Sequence, residues 1–129
     1  MQFIDLKTQQ KRIKNNVDKR IQTVLSHGQY IMGPEVSELE EKLAQYVGVD
    51  YCLSCSSGTD ALLIPLMARG IGPGDAVLTT TFTYIATAEV IKLIGATPIF
   101  VDIDPETFNM NPDFIPDAVN EAKKKGLNP

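Results

Sequence analysis

The chain has 129 residues, of which 43% are hydrophobic, and carries a net charge of −4 at pH 7. This length and composition indicate one domain with enough apolar material for a core. The mild acidity argues against a nucleic-acid partner, and no apolar run approaches the roughly 20 residues that a membrane helix needs. The polar, charged start predicts no signal peptide, and two cysteines without a disulfide framework are typical of a reducing cytoplasm.

Residues 1–48 are predicted to form a helical amino-terminal segment. Apolar residues recur at helical spacing over 9–26, and Gly28 follows as a stop signal. Pro34 suits the first turn of a second helix, which Gly48 ends. Between the two helices lies an apolar connector that contains Tyr30.

Residues 49–129 are predicted to form an α/β sheet portion. The predicted order is strand 51–54, helix 61–68, strand 76–80, helix 84–94, strand 97–101 and a last helix over 113–125, with Asn111 as its cap and Pro112 at its first position. This β-α-β-α-β alternation predicts parallel strands joined by right-handed crossovers. Because ligands gather beyond the carboxyl ends of such strands, we expect the loops at Gly58, Tyr84 and Asp102 to share one crevice.

The turn at Gly58 and Thr59 has the residues of a phosphate site. A helix start presents unpaired backbone N–H groups, Gly58 permits close approach of an anion, and Thr59 adds a hydroxyl donor. The alternative is an ordinary helix start capped by Ser57 or Thr59 without any ligand, which is the commoner use of such residues. The residues alone leave both interpretations open.

Several consecutive blocks of the sequence resemble one family. They are 28–36, 57–62, 70–75, 81–88, 95–98 and 101–105. In this order and spacing they are similar to the DegT-type nucleotide-sugar aminotransferases, which use pyridoxal 5'-phosphate on the aspartate-aminotransferase fold. The opening and the first block most resemble the O-antigen enzymes that act on UDP-linked 2-acetamido-3-oxo-glucuronate.

The resemblance implies a fold, a cofactor, a reaction and a set of site residues. The fold is the amino-terminal part of the fold-type I large domain, incomplete over 1–129. The reaction moves an amino group, with glutamate as the expected donor, to a keto group on a nucleotide-linked sugar. Gly58 and Thr59 then belong to the phosphate cup, the aromatic ring of Tyr84 stacks on the pyridine ring of the cofactor, and Tyr30 lies near the sugar nucleotide. The family also implies a cytoplasmic homodimer.

No catalytic residue is predicted in this chain. Transamination with this cofactor needs a lysine for the Schiff base and a carboxylate that keeps the pyridinium protonated. In the family both lie beyond the matched region, so we expect the 129-residue chain to be inactive alone. The alternative is a non-catalytic module of the same fold that binds phosphate compounds or a partner protein.

Three other features have simpler interpretations. Cys52 and Cys55 form a C-x-x-C pair, but alternate faces of an extended strand would separate their side chains, which argues against a zinc or dithiol site. Asp102 and Asp104 are expected to cap the turn after a strand rather than to hold a metal. Tyr30 has a packing alternative as well, because apolar connectors usually hold two helices together; for a single side chain this alternative is favoured.

Overall fold

The computed structural model describes residues 3–129, and the chain divides between Ser54 and Cys55 into two compact units. We call residues 3–54 the helical unit and residues 55–129 the α/β unit. No helix within residues 3–129 is both long and apolar enough to cross a bilayer.

The helical unit contains α1 (Leu6–His27) and α2 (Pro34–Val47). The stop and start signals act as the sequence predicts. Gly28 and Gly48 adopt left-handed φ angles of 69° and 80°, and their N–H groups donate to carbonyls of the last turn. Pro34 occupies the first turn of α2.

The ion pair of Arg20 on α1 with Glu38 on α2 joins the two helices of this unit, and Lys42 of α2 donates to the same carboxylate. Arg20 donates from both terminal nitrogens to the two carboxylate oxygens of Glu38, at 2.5 and 2.7 Å, and Lys42 donates to Glu38 at 2.5 Å. Apolar packing contributes little within the unit, because α1 has no buried residue and Ala44 is the one buried residue of α2.

The predicted strand 51–54 is wrong, because this segment has no regular secondary structure. A strand requires a neighbouring strand that takes up its backbone hydrogen bonds. Here the backbone N–H and the hydroxyl of Ser54 both donate to one carboxylate oxygen of Glu40, each at 2.7 Å. These hydrogen bonds lower the pKa of Glu40. The Glu40 side chain thus accepts from the backbone of Ser54, where a partner strand was expected to do so.

The α/β unit contains α3 (Gly58–Ala68), β1 (Ala76–Thr80), α4 (Ala86–Leu93), β2 (Thr97–Val101) and α5 (Ile115–Lys124). Both strands have the predicted bounds. A 3₁₀ turn, Pro112–Phe114, precedes α5, and the side chain of Asn111 accepts from the N–H of Asp113 as its predicted cap.

The two strands pair in parallel, with Ala76 opposite Thr97 and Thr80 opposite Val101. The carbonyl of Asp75 accepts from Thr97, whereas the N–H of Ala76 donates to Asn128 at 2.7 Å. Successive backbone groups of a strand point to opposite edges, so the segment after α5 begins to pair with β1 on the side away from β2. The segment that pairs in parallel with the other edge of β1 is therefore the one at Asn128, and not the predicted strand 51–54.

Apolar residues pack on both faces of this sheet. The cluster against α5 consists of Ala76, Ile99, Val101, Ala118 and Ala122, and the cluster against α4 consists of Val90, Ile91 and Ala96, with Leu63 and Leu66 of α3 packed on it. The three helices thus cover a two-stranded core, and the loops that follow the strands lie at its edge.

Candidate functional site

The start of α3 leaves two backbone donors and one hydroxyl free. Ser57 is the N-cap: its hydroxyl accepts from the N–H of Asp60 at 3.2 Å, and its carbonyl accepts from Ala61 at 3.0 Å. The N–H groups of Gly58 and Thr59, and the hydroxyl of Thr59, make no hydrogen bond to any residue between 3 and 129. The cap and the candidate phosphate site therefore use different groups of the same turn.

The space around this turn admits a ligand. A Cβ atom added to Gly58 would meet no atom within 4 Å, and both Gly58 and Thr59 are exposed. The carboxylate of Asp60 is turned toward the hydroxyls of Ser56 and Ser57, which donate to it. The dipole of α3 and the free N–H groups favour an anion at this point.

Tyr84 lies in the loop between β1 and α4 and is 77% exposed. Its predicted place inside a helix is wrong, because α4 begins at Ala86. The carbonyl of Tyr84 accepts from Thr87 at 3.1 Å, so the backbone of the loop is tied to the first turn of α4. The ring itself is not part of the apolar core, which removes the interpretation of Tyr84 as the start of a buried helix.

An open groove of about 700 Å³ lies between α3, α4 and β2. Thr59 borders it together with Ile85, the residue that follows Tyr84, and with Pro98 and Phe100 of β2. Thr59 of α3 and Ile85 before α4 thus border one concave surface, but Gly58, Tyr84 and Asp102 do not line it. Asp102 borders a different depression, with Phe114 and Asp117, so the shared crevice stays a prediction.

The loops after β1 and β2 also meet. Phe82 and Phe108 stack with ring centroids 5.4 Å apart, and Phe108 has a φ of 59°, which is uncommon for a residue with a side chain. The sequence analysis missed Phe108. The sequence did indicate a turn just before Phe108, because Asp104 is followed by Pro105. In the structure Asp104 accepts from the N–H groups of Glu106 and Thr107 in that turn.

Asp102 and Asp104 act as turn residues, as predicted. Asp102 accepts from the N–H of Ile103 at 2.8 Å, and hydrogen bonds from Thr107 and then Glu106 lower the pKa of Asp104. The part of the chain from residue 3 onward holds no group of three or more possible metal ligands. Cys52 and Cys55 are both free thiols, although the strand that was expected to separate them is absent.

Tyr30 lies in the helical unit, on the connector between α1 and α2. It is 68% exposed and the neighbouring Ile31 is 90% exposed. The packing alternative is therefore wrong for these two side chains, because neither is buried between helices. Their exposure leaves the ring of Tyr30 and the side chain of Ile31 available for contact with a ligand.

Comparison with known proteins gives the family. The model of the DegT/DnrJ/EryC1/StrS aminotransferase family matches residues 11–127. A relative named UDP-2-acetamido-2-deoxy-3-oxo-D-glucuronate aminotransferase, from Pseudomonas aeruginosa, is 57% identical over 96% of this chain. The chain spans 34% of the length of that relative.

Solved structures show the same likeness. A DegT DnrJ EryC1 StrS aminotransferase from Brucella abortus matches all of this chain and 35% of its own, with a TM-score of 0.95 and 52% identity. The NtdA protein of Bacillus subtilis with bound cofactor PMP matches 81% of this chain and 24% of its own, with a TM-score of 0.77 and 36% identity. The predicted fold class, the amino-terminal part of a fold-type I large domain, is confirmed. The chain belongs to the DegT/DnrJ/EryC1/StrS aminotransferase family.

Proposed function

We propose that this chain is the amino-terminal part of a pyridoxal-phosphate-dependent aminotransferase that acts on a nucleotide-linked keto-sugar. Glutamate is the proposed amino donor, and the product serves the synthesis of cell-surface polysaccharide in the cytoplasm. The proposal draws on the family match and on the substrate after which the Pseudomonas relative is named. Residues 1–48 and 49–129 are proposed as two segments of one incomplete large domain, and the complete enzyme as a homodimer.

The observation that carries the proposal is the set of free donors at the start of α3. Two N–H groups and the hydroxyl of Thr59 are without partners inside residues 3–129, and the missing Cβ of Gly58 leaves room beside them. A phosphate group needs several donors of this kind and close approach to the main chain. The residues present therefore fit the phosphate of pyridoxal 5'-phosphate.

Tyr84 and Tyr30 receive different roles. The exposed ring of Tyr84, held by the tie of its carbonyl to α4, is proposed to stack on the pyridine ring, because a flat phenol gives a large contact at little entropic cost. Tyr30 is proposed to contact the sugar nucleotide. When bound, the cofactor supplies the electron sink for amino transfer, and the residues of this chain bind and orient it.

The proposed contribution of Thr59 can be measured in the complete enzyme. Thr59→Val removes one donor to a charged acceptor while keeping the shape of the side chain, and such a donor contributes roughly 1.5 to 3 kcal/mol. We expect the dissociation constant for pyridoxal phosphate to rise roughly ten- to hundredfold. Thr59→Ser keeps the hydroxyl and is the matched control. Equal affinity of the Val form and the natural enzyme would place the phosphate elsewhere.

The 129-residue chain distinguishes the enzyme from a binding module. We expect it to bind pyridoxal phosphate weakly and to show no transamination, since the Schiff-base lysine is proposed to lie outside the matched region. Borohydride reduction followed by peptide mapping tests this expectation. Stoichiometric trapping at a single lysine of the 129-residue chain contradicts the proposed division of the site.

A further inference from the structure

The connector that carries Tyr30 is a closed loop with a defined backbone. We call residues 28–33 the Tyr30 loop. Its apolar side chains point to solvent, with Tyr30, Ile31 and Met32 exposed by 68%, 90% and 69%, whereas Gly33 is buried. Loops that expose apolar side chains usually lack a fixed conformation unless their backbone is held by other contacts. The contacts that hold this loop come from residues at its two ends.

His27, the last residue of α1, makes hydrogen bonds at both ring nitrogens. Its Nδ1 accepts from the N–H of Gln29 at 3.0 Å, and its Nε2 lies 3.1 and 3.2 Å from the two carboxylate oxygens of Glu35 in α2. An Nδ1 that accepts carries no proton, so the proton of the neutral ring is on Nε2 and is donated to Glu35. The ring therefore ties the end of α1 to the start of α2 across the loop.

Gly33 closes the loop from the other side. A Cβ atom at this position would lie 2.4 Å from the carbonyl oxygen of Gln29, so the carbonyl is packed directly on the glycine. Gln29 is thus held at its N–H by the hydrogen bond to His27, and its carbonyl lies against Gly33, where a side chain would leave it no room. The next residue in the chain is Tyr30, and Met32 completes the turn with a φ of 50°.

The pair of His27 and Glu35 is half-buried, with 25% and 28% of the two side chains exposed. The hydrogen bond from His27 is the largest cause of a lowered pKa of Glu35, which keeps the carboxylate ionised as the acceptor. Partial removal from water strengthens such a hydrogen bond relative to a fully exposed one.

We propose that His27 is a positioning residue that holds the Tyr30 loop, through Gln29 and Glu35, in the conformation that receives the nucleotide-sugar substrate. This inference rests on the proposed function of Tyr30. His27 does not touch the substrate in this proposal. It fixes the backbone from which Tyr30 projects, so that little ordering of the loop is needed when the substrate binds.

Two substitutions separate the two hydrogen bonds of His27. In His27→Asn the amide oxygen replaces Nδ1 and keeps the contact with Gln29, while the contact with Glu35 is lost. In His27→Gln the longer amide replaces Nε2 and keeps the contact with Glu35, while the contact with Gln29 is lost. Lys14→Gln, on the exposed surface of α1, is the control for a change of helix composition.

Both variants are made in the complete enzyme and measured in two ways. Hydrogen exchange, read by mass spectrometry with fragmentation to single amides, should become faster at Gln29 in His27→Gln and remain slow there in His27→Asn. The KM for the nucleotide sugar should rise roughly two- to tenfold in each variant, the change expected for one hydrogen bond, while kcat stays nearly constant. Lys14→Gln should change neither quantity.

The two measurements fail in different ways. Unchanged exchange at Gln29 in His27→Gln would show that the clamp does not exist. Faster exchange with an unchanged KM would show that the clamp exists but does not serve the substrate, which also overturns the inference. Tyr30→Ala tests the proposed function separately. If the KM of Tyr30→Ala for the nucleotide sugar equals that of the unsubstituted enzyme while the KM of both His27 variants is raised, Tyr30 is not the residue through which the loop acts.

Discussion

The helical unit and the α/β unit are held by different kinds of contact. Within the helical unit, two amphipathic helices are joined by the ion pair of Arg20 with Glu38 and by the contact of His27 with Glu35, and many of their apolar side chains are exposed. The α/β unit instead buries Ile91, Ile99 and Val101 on two faces of its sheet. Burial of apolar surface is the larger source of stability, so the α/β unit should be the more stable of the two.

The same difference separates the proposed site residues. Thr59 lies in the first turn of α3 and Tyr84 in the loop before α4, and both helices contribute to the apolar cluster on the sheet. Tyr30 lies on a loop whose conformation depends on the polar contacts of His27 and on the close contact at Gly33. We therefore expect the positions of Thr59 and Tyr84 to be less sensitive to changes in conditions than that of Tyr30.

The largest expected effect is a core truncation in the α/β unit. Ile91 is 2% exposed, so Ile91→Ala should lower the free energy of unfolding of that unit by about 2 to 5 kcal/mol. Ile21→Ala is the same chemical change on α1, at a side chain that is 51% exposed, and should cost less than about 1 kcal/mol. Urea unfolding followed by circular dichroism measures both. Equal losses would mean that α1 is packed in solution.

A second comparison uses two glycines. Gly33→Ala places a Cβ 2.4 Å from a backbone oxygen, and the resulting distortion should destabilise the helical unit by about 1 to 3 kcal/mol. Gly58→Ala meets no atom within 4 Å and has no positive φ, so it should be neutral or slightly stabilising for the fold. In the complete enzyme, however, Gly58→Ala should weaken cofactor binding.

Hydrogen exchange across the two units measures the structural part of this prediction, and cofactor titration measures the rest. Faster exchange confined to residues 28–36 in Gly33→Ala is the expected pattern. A Gly58→Ala enzyme with natural cofactor affinity would show that the cofactor phosphate does not approach Gly58.

Local rules predicted most elements and both strands of the sheet. Gly28, Pro34, Gly48 and Asn111 fix their turns and caps through backbone conformation and short-range hydrogen bonds, which sequence spacing reveals. The strand 51–54 could not be predicted correctly in the same way, because a strand depends on a distant partner. Its apolar pattern is visible in the sequence, but the hydrogen bonds of Ser54 to Glu40 are not.

The candidate site could be proposed from the sequence where a residue type has a fixed physical use. Gly58 and Thr59 were identified as candidate anion donors at a helix start, and the structure leaves their donors free. Phe108 was missed because its two notable features are a positive φ and a stacking contact with Phe82. Phe82 and Phe108 are far apart in sequence, so spacing does not reveal the contact. His27 was missed for a similar reason, since both of its hydrogen bonds require the geometry of the closed loop.

A smaller effect is expected at Phe108. Its φ of 59° is unfavourable for any residue with a Cβ, so Phe108→Gly should be more stable than Phe108→Ala by about 1 kcal/mol, although both lose the stacked ring. Thermal unfolding of the two variants side by side gives the difference. If Phe108→Ala is the more stable, the backbone of this loop does not keep the left-handed conformation in solution.

The smallest expected effect is the pH dependence of the helical unit. Hydrogen bonds from Arg20, and then from Lys42, lower the pKa of Glu38 to about 2. Because the folded pKa lies below the ordinary value, the ionised carboxylate stabilises the pairing of α1 with α2 above about pH 4.5, and this contribution disappears as the pH falls toward 2. The side chains are exposed and screened by salt, so the change is modest.

Glu38→Gln removes the titrating group and provides the comparison. At pH 6 the natural chain should have the higher urea midpoint for loss of helical circular dichroism, and the difference between the two chains should shrink continuously as the pH is lowered to 2. Added salt should reduce the difference at pH 6, because it screens exposed charges. A difference that stays constant across this pH range would mean that Arg20 and Lys42 do not lower the pKa of Glu38. The pairing of the two helices would then depend on their apolar faces and not on this ion pair.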